Sequence, residues 1–475
     1  MKIRLSFLFV AFFFTFTLSA QEKWDLRKCV EYAIANNISV KQTDLQARFS
    51  KLNYEQSKLS IFPSLNVQGS SGYRFGRSEN PTTGVLEDNN FLSSGFSVQT
   101  GTTIFGWFSK KNQIESDRLT VEADQAQIKK VQDDIALNVA VAYLQILLSK
   151  EQINLSKIQL QSTNEQFINT RKRVDVGLLP ELNAVELEAQ LYRDSANLIA
   201  AETGVQQLLL QMKAILNLDA SVAFDVETPP LERIPIDNLG ELQPEAIFSL
   251  AVINLPQQKI IDLRLQAAKK EVVAAKGMLY PSIQAFGGLS SNYVNIKIPQ
   301  YEIGTPKITS AFVTVGSTSY NVLSPSFVQV GEKTIPLGEQ LKKNFGQNIG
   351  ISIGIPIFNS GSVQTRLKQT QLNVKQWELN KEQDNQKLKQ DVYKAYHDAL
   401  SAVQKYNADG KSVSTAKKSF EFAQKRYDQN LLSTFDLINS QNNYLRSKIQ
   451  ALYSQFDYVF KMKLLEFYKG QGIKL

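Results

Sequence analysis

The chain holds one cysteine and one histidine in 475 residues. Cys29 alone cannot form an internal disulfide, and a lone His397 excludes His/Cys metal clusters and His-based triads within a protomer. Acidic residues are plentiful, yet no paired-carboxylate motif stands out from the charged helix faces, so neither an enzyme nor a cofactor is expected. After the first twenty residues no stretch approaches the roughly 20 apolar residues of a membrane helix, so a mature chain that spans a bilayer is expected to do so with strands. Blocks of one charge sign are missing too. The net charge is +8, or +6 without Lys2 and Arg4, and Lys and Arg alternate with acids along the helices, which excludes nucleic acid as the expected partner. Glycine and proline are both absent between Trp107 and Val176. A helix of that length reaches roughly 100 Å at 1.5 Å per residue, more than the width of most globular domains.

What is present begins with an export signal. Lys2 and Arg4 precede the apolar run Leu5 to Thr17, and Leu18-Ser19-Ala20 supplies small residues before Gln21, so residues 1–20 read as a cleaved signal peptide. Cys29 lies past that cleavage site and is expected as a small packed helical residue rather than a lipid-bearing first residue.

The rest is a repeat. Residues 101 to 193 recur at 354 to 446 with a constant offset of 253, pairing Gly101 with Gly354, Phe105 with Phe358, Val139 with Val392, Tyr143 with Tyr396 and Arg193 with Arg446. Upstream the offset is 218, pairing Asp44 with Asp262, Lys58 with Lys276 and Pro63 with Pro281. The two offsets differ by 35 residues, which must fall between Gly287 and Gly354, where Ser, Thr, Pro, Gly and Val follow without helical periodicity, expected as a surface loop roughly within 292–343 that faces outside the cell. The chain therefore divides into a first repeat, 21–220, a linker, 221–245, and a second repeat, 246–475, that carries the insertion.

Within each long helix a heptad seam runs through Val139, Ile146, Ile153, Leu160, Phe167 and Val174, and again through Val392, Ala399, Tyr406, Val413, Phe420 and Tyr427. Gly410 interrupts the second copy and is expected to kink it. Both long helices stop at turns, Gly177-Leu178-Leu179-Pro180 and Asn430-Leu431-Leu432-Ser433. Gly and Asn readily adopt the left-handed conformation at a helix end, and Pro and Ser open the next helix, so both turns read as hairpin tips. Returning helices follow over about 181–218 and 434–469, and shorter helices at 40–61 and 257–279 would stack on them end to end.

After Pro63 and Pro281 the period changes from helix to strand. Leu65, Val67 and Tyr73 alternate with Asn66, Gln68 and Arg74; Phe96, Val98 and Ile104 with Ser97, Gln99 and Thr103; Ile349, Ile351 and Ile353 with Gly350, Ser352 and Gly354. Strands of about ten residues with one apolar face suit a membrane barrel with a wet interior, or else a half-buried soluble sheet. Four strands cannot close a barrel, and an open edge in lipid leaves backbone groups unpaired. Two copies would give eight strands and a filled interior; three would give twelve and room for a passage.

The residues resemble the TolC-like outer membrane efflux protein family over essentially the whole mature chain. The resemblance rests on the doubled junctions IFPSLNVQG and LYPSIQAFG, on the passages TTIFGWFSKKNQIE and IPIFNSGSVQTRLK, on the tips RVDVGLLPELNAVELEAQL and RYDQNLLSTFDLINSQNNYL, and on WDLRKCVEYAIANN. It implies an α+β membrane protein: a homotrimer whose twelve strands, four per chain, form one barrel in outer membrane lipid, with helices continuing as a coiled-coil barrel across the periplasm and the linker in its equatorial region. Implied partners are a periplasmic adaptor and an inner membrane transporter, and the implied function is efflux of small molecules. Type I protein secretion and, in a different class, a coiled-coil envelope spacer without channel activity are the alternatives.

By motif match the periplasmic gate region holds Tyr427, Asp436 and Asn439 in the second tip and Leu182 and Asn183 in the first. The adaptor-contact positions are Gly177, Leu178, Leu179, Asn430, Leu431 and Leu432. The family commonly carries Asp where Asn183 and Asn439 stand, which leaves Asp436 as the gate acid here. Three copies of Asp436 would form a ring about the pore axis; the competing reading is a first-turn acid that complements the helix dipole. The paired leucines either contact the adaptor or pack on their own turn.

Overall fold

The computed structural model describes residues 23–79, 84–88, 90–228 and 243–470. The signal peptide and most of the linker expected at 221–245 lie outside the described residues. In the first repeat the helices are α1 (Leu26–Asn36), α2 (Ile38–Leu59), α3 (Ser109–Asp175) and α4 (Glu181–Leu216); in the second they are α5 (Pro244–Asn254), α6 (Pro256–Gly277), α8 (Ser362–Asp428) and α9 (Thr434–Tyr468). Each of these helix starts obeys one of the two offsets, 218 for α1/α5 and α2/α6 and 253 for α3/α8 and α4/α9. Helices and antiparallel strands are segregated along the chain, an α+β fold.

The chain has two compact units. The helical unit comprises residues 1–52, 118–267 and 373–475. It contains two cores built from equivalent positions. Cys29, Ala33, Val139, Ala142, Ile146, Leu209 and Met212 in the first correspond to Ile247, Ala251, Val392, Ala395, Ala399, Met462 and Leu465 in the second, all buried. The exchanges offset one another: small Cys29 and large Ile146 become large Ile247 and small Ala399, and Leu209/Met212 become Met462/Leu465. Volume-conserving exchanges of this kind usually cost under about 1.5 kcal/mol, which lets two sequences fill the same core. Cys29 is fully buried, as expected for a packed residue, and burial pushes its thiol up to about 12.

Where α1 meets α2, the Asn37 side-chain amide donates to the Ile215 carbonyl in the last turn of α4 at 2.9 Å; at the end of α5, Asn254 donates to Lys469 at 3.2 Å. A polar side chain thus satisfies orphan helix-end carbonyls in both repeats. Along the seam Val139, Ile146, Val392 and Ala399 are buried, whereas Val174 and Val413 are only half-buried. α8 is helical through Gly410, since one exposed glycine costs only about 1 kcal/mol in a helix. One sequence-based expectation fails here: α3 is, by length and composition only, apolar enough to cross a membrane, although the sequence promised no such helix; its residues Val139, Tyr143 and Ile146 belong to the first core.

The second unit comprises residues 53–117 and 268–372. Its sheet contains β1 (Ser64–Arg74), β4 (Phe91–Phe105), β5 (Ser282–Val294) and β8 (Gly346–Gly354) in the order β1-β4-β5-β8, all pairs antiparallel. The register pairs Val67 with Val98, Val98 with Leu289, Ala285 with Ile351 and Ile283 with Ile353, so the apolar positions of all four strands share one face. Gln68, Ser97, Ser290, Gly346, Gln99, Gly288 and Asn348 share the other. The apolar face is open: Leu65, Val67, Ile349, Ile351 and Ile353 are exposed. Among the described residues β1 and β8 each have a single neighbour, so the sheet is open at both edges.

A short hairpin, β2 (Arg77–Glu79) and β3 (Leu86–Asp88), links β1 to β4. Its counterpart overturns the expected loop. The insertion folds as a long hairpin, β6 (Lys297–Val315) and β7 (Thr318–Thr334), followed by α7 (Leu337–Lys343). Its Ile, Val, Tyr and Phe residues supply strand propensity that the Ser/Thr/Pro/Gly content obscures, and Gly316 at φ +67 makes the tight turn.

Candidate functional site at the hairpin tips

Both tips end in the same backbone motif. Gly177 and Asn430 sit in the left-handed region at φ +77 and +61. The Leu178 amide donates to the Arg173 carbonyl and that of Gly177 to Val174, while Leu431 donates to Arg426 and Asn430 to Tyr427, all at 2.8–2.9 Å. This double closure satisfies the last carbonyls of α3 and α8 and aims the chain back into α4 and α9. Leu178 and Leu431 project into solvent at 65% and 63% exposure, and Leu179 and Leu432 are half-buried. A turn packing on its own neighbours therefore engages one leucine of each pair and leaves the other bare.

The second tip is capped by Ser433, whose hydroxyl accepts from the Asp436 amide at 3.1 Å and donates to the Asp436 carboxylate at 2.7 Å. Asp436 stays exposed in the first turn of α9, where it complements the helix dipole. Asn439, one turn on, is exposed. At the first tip Pro180 offers no side-chain cap, Leu182 is exposed, and the half-buried Asn183 donates its amide to the Pro180 carbonyl at 3.1 Å. Glu181 takes a hydrogen bond from Arg171, which holds that guanidinium above its ordinary value.

Of the residues picked from the sequence, Tyr427 and Asn430 join the tips, and Tyr427 does so from a buried position. The Tyr427 hydroxyl lies 2.8 Å from Thr170 Oγ1 of α3, and Thr434 Oγ1 donates to it at 3.4 Å. Arg173 places its guanidinium 5.9 Å from the Tyr427 ring centroid and donates to Asn430 Oδ1. The Tyr427–Thr170 pair has no counterpart in the repeat, because the equivalent positions are Val174 and Ala423. Leu182, Asn183, Asp436 and Asn439 are not drawn into this junction.

Sequence reading missed a buried polar layer farther along the hairpins. Asp194 of α4 is 2% exposed, and its carboxylate accepts from Thr163 Oγ1 at 2.7 Å, Gln190 Nε2 at 2.8 Å and Gln159 Nε2 at 3.4 Å. Gln441 of α9 donates to Thr163 Oγ1 at 3.3 Å. Nothing in the sequence separated Thr163, Gln190 or Asp194 from solvent-facing polar residues of the same helices.

A family model described as "Outer membrane efflux protein" matches residues 30–218 and 339–457. The outer membrane protein TolC of Escherichia coli is 21% identical over 421 residues, covering 88% of this chain and 76% of TolC. A crystal structure of CusC superposes with a TM-score of 0.76 at 16% identity, covering 95% of this chain and 93% of CusC. The outer membrane protein VceC of Vibrio cholerae gives 0.74 at 14% identity, covering 94% and 97%.

Proposed function

Because the chain belongs to the outer membrane efflux protein family, we propose that three copies join their sheets into one twelve-stranded barrel in the outer membrane, continued by a helical conduit across the periplasm. The observation that carries this reading is the sheet: four antiparallel strands, apolar on one exposed face, small or polar on the other, with both edges unpaired among the described residues. In lipid an unpaired edge costs several kcal/mol per backbone group, so β8 of one copy pairs with β1 of the next. Twelve strands leave a wet interior lined by Gln68, Ser97, Gln99 and Asn348.

The conduit exports small molecules delivered by an inner membrane pump. The bare Leu178 and Leu431 at the tips seat a periplasmic adaptor, since exposed leucines far from any core favour an apolar partner. The tips form the periplasmic gate. Tyr427 ties the two hairpins of one copy together, while Asp436, exposed in each copy, contributes one carboxylate to a three-membered ring that attracts cations.

Two measurements test this. The mass of the detergent-solubilised protein should correspond to three chains, and the protein should conduct in planar bilayers, with block by multivalent cations weakened in Asp436→Ala. Folded three-chain particles that never conduct would leave only an envelope spacer.

A further inference from the structure

The long insertion hairpin carries an apolar stripe that stays exposed among the described residues. The register pairs Tyr301 with Gln329, Ile303 with Phe327, Ile308 with Leu323 and Phe312 with Asn321, which places Tyr301, Ile303, Ile308, Phe312, Leu323 and Phe327 on one face. All six are exposed, from Leu323 at 56% to Ile303 at 81%. On the opposite face of the same stretch stand Glu302, Gly304, Lys307, Ser324 and Ser326, paired across the strands with Val328, Ser326, Ser324, Lys307 and Gly304. The first side is thus uncharged and densely apolar, whereas the second mixes Glu302, Lys307 and serines with the exposed Val313, Tyr320, Val322 and Val328. A two-stranded ribbon with a bare apolar side is marginal in water and needs cover.

Its root is rigidly built, so the stripe has a definite place. Gln340 of α7, itself buried, accepts from the Val294 amide at 3.0 Å and donates to the Val294 carbonyl at 2.8 Å, joining the end of β5 to the end of the hairpin. Ser291 of β5 donates to the Leu341 carbonyl at 2.9 Å, and Phe91, Val294 and Ile296 close a small core at the same level. The hairpin thus rises from β5, next to β8, the sheet edge at which the next copy joins.

We infer that the apolar faces of the β6–β7 hairpins of three sister copies pack against one another above the barrel. This rests on the three-copy reading given above. Sister copies are the occupant because each brings an identical uncharged stripe, rooted beside the shared sheet edge, so the contact continues the barrel interface. The area is adequate as well. The stripe holds two Phe and one Tyr, each able to bury about 150–250 Å², beside three aliphatic side chains, which together approach the roughly 800 Å² per partner of a stable interface. The charged Glu302 and Lys307 stay outside, which orients each hairpin.

The chain suits a cysteine test, because its single thiol, Cys29, is fully buried. Leu323→Cys and Ser324→Cys place a thiol at the same height on opposite faces, with Phe327→Cys as a second reporter on the apolar face. Cells carrying each variant are treated with copper phenanthroline, and the assembly is then solubilised, weighed and denatured. Leu323→Cys and Phe327→Cys should yield covalent dimers in up to two of every three chains, since three cysteines about one axis form a single disulfide; Ser324→Cys should stay monomeric. A three-chain mass with no dimer from either apolar-face variant overturns the packing, as does equal cross-linking of Ser324→Cys. A one-chain mass overturns the three-copy reading itself, and the sister contact with it.

Discussion

Replacing Tyr427 by Phe tests the tip junction with one oxygen atom. In the wild type the Tyr427 and Thr170 hydroxyls lie 2.8 Å apart, and Thr170 is 1% exposed. Tyr427→Phe keeps the ring beneath Arg173 and so keeps the cation–π contact, but it strands the Thr170 hydroxyl in a dry site. An orphaned buried hydroxyl costs about 1–3 kcal/mol, which is about 5- to 150-fold in the balance between a joined and a parted tip. In the parted tip water reaches Thr170 and the penalty vanishes, so the variant favours parting. Adding Thr170→Val removes the orphan between the hairpins and leaves only Thr434 Oγ1, whose contact with the lost hydroxyl was the longer one at 3.4 Å, so two apolar groups in contact restore most of the joined tip. Single-channel recording on Tyr427→Phe should therefore show a higher open fraction, and the double variant should return most of the way to wild type. If the hydrogen bond acted only as a latch, the double variant would be at least as open as the single. That outcome, or an unchanged single variant, refutes the reasoning.

Three further outcomes follow from the same structure. Gly177→Ala places a side chain at φ +77, which costs about 1 kcal/mol by the left-handed penalty, so thermal unfolding should fall by a few degrees while Gly338→Ala, in exposed α7, changes little. Asp194→Ala leaves Thr163 and Gln190 without their acceptor in a buried layer and should cost about 2–4 kcal/mol, read from denaturant midpoints; a loss below 1 kcal/mol would mean water replaces the carboxylate. Cys29 titrates near 12 when folded and from 9.0 as its ordinary value, so its contribution to stability is complete below pH 9 and fades as pH rises towards 12, where the unfolded thiol ionises first. Maleimide at pH 8 should accordingly label Cys29 only after unfolding, and rapid labelling of folded protein would contradict the burial.

Much of the architecture was legible because it is written in short-range patterns. Element boundaries followed from Pro63, Pro281, Gly177 and Asn430, whose backbone preferences act within a turn or two. The apolar face of the sheet followed from alternation alone, and the observed register keeps Val67, Val98, Leu289 and Ile351 on one side. The insertion was misread because bulges at Gly304 and Ile308 break its alternation, hiding strands that cross-strand pairing nonetheless stabilises.

By itself, then, the chain determined two copies of one design, the turns that end the long helices, and which face of the four-stranded sheet is apolar, since each depends on residues close in sequence or on plain repetition. The tertiary structure alone decided that Cys29 and Ile146 trade volume against Ile247 and Ala399, that Asp194 is buried among Thr163, Gln190 and Gln159, and that Tyr427 meets Thr170. Those depend on which helices become neighbours, and a polar residue on a helix looks the same in sequence whether its partner is water or another side chain.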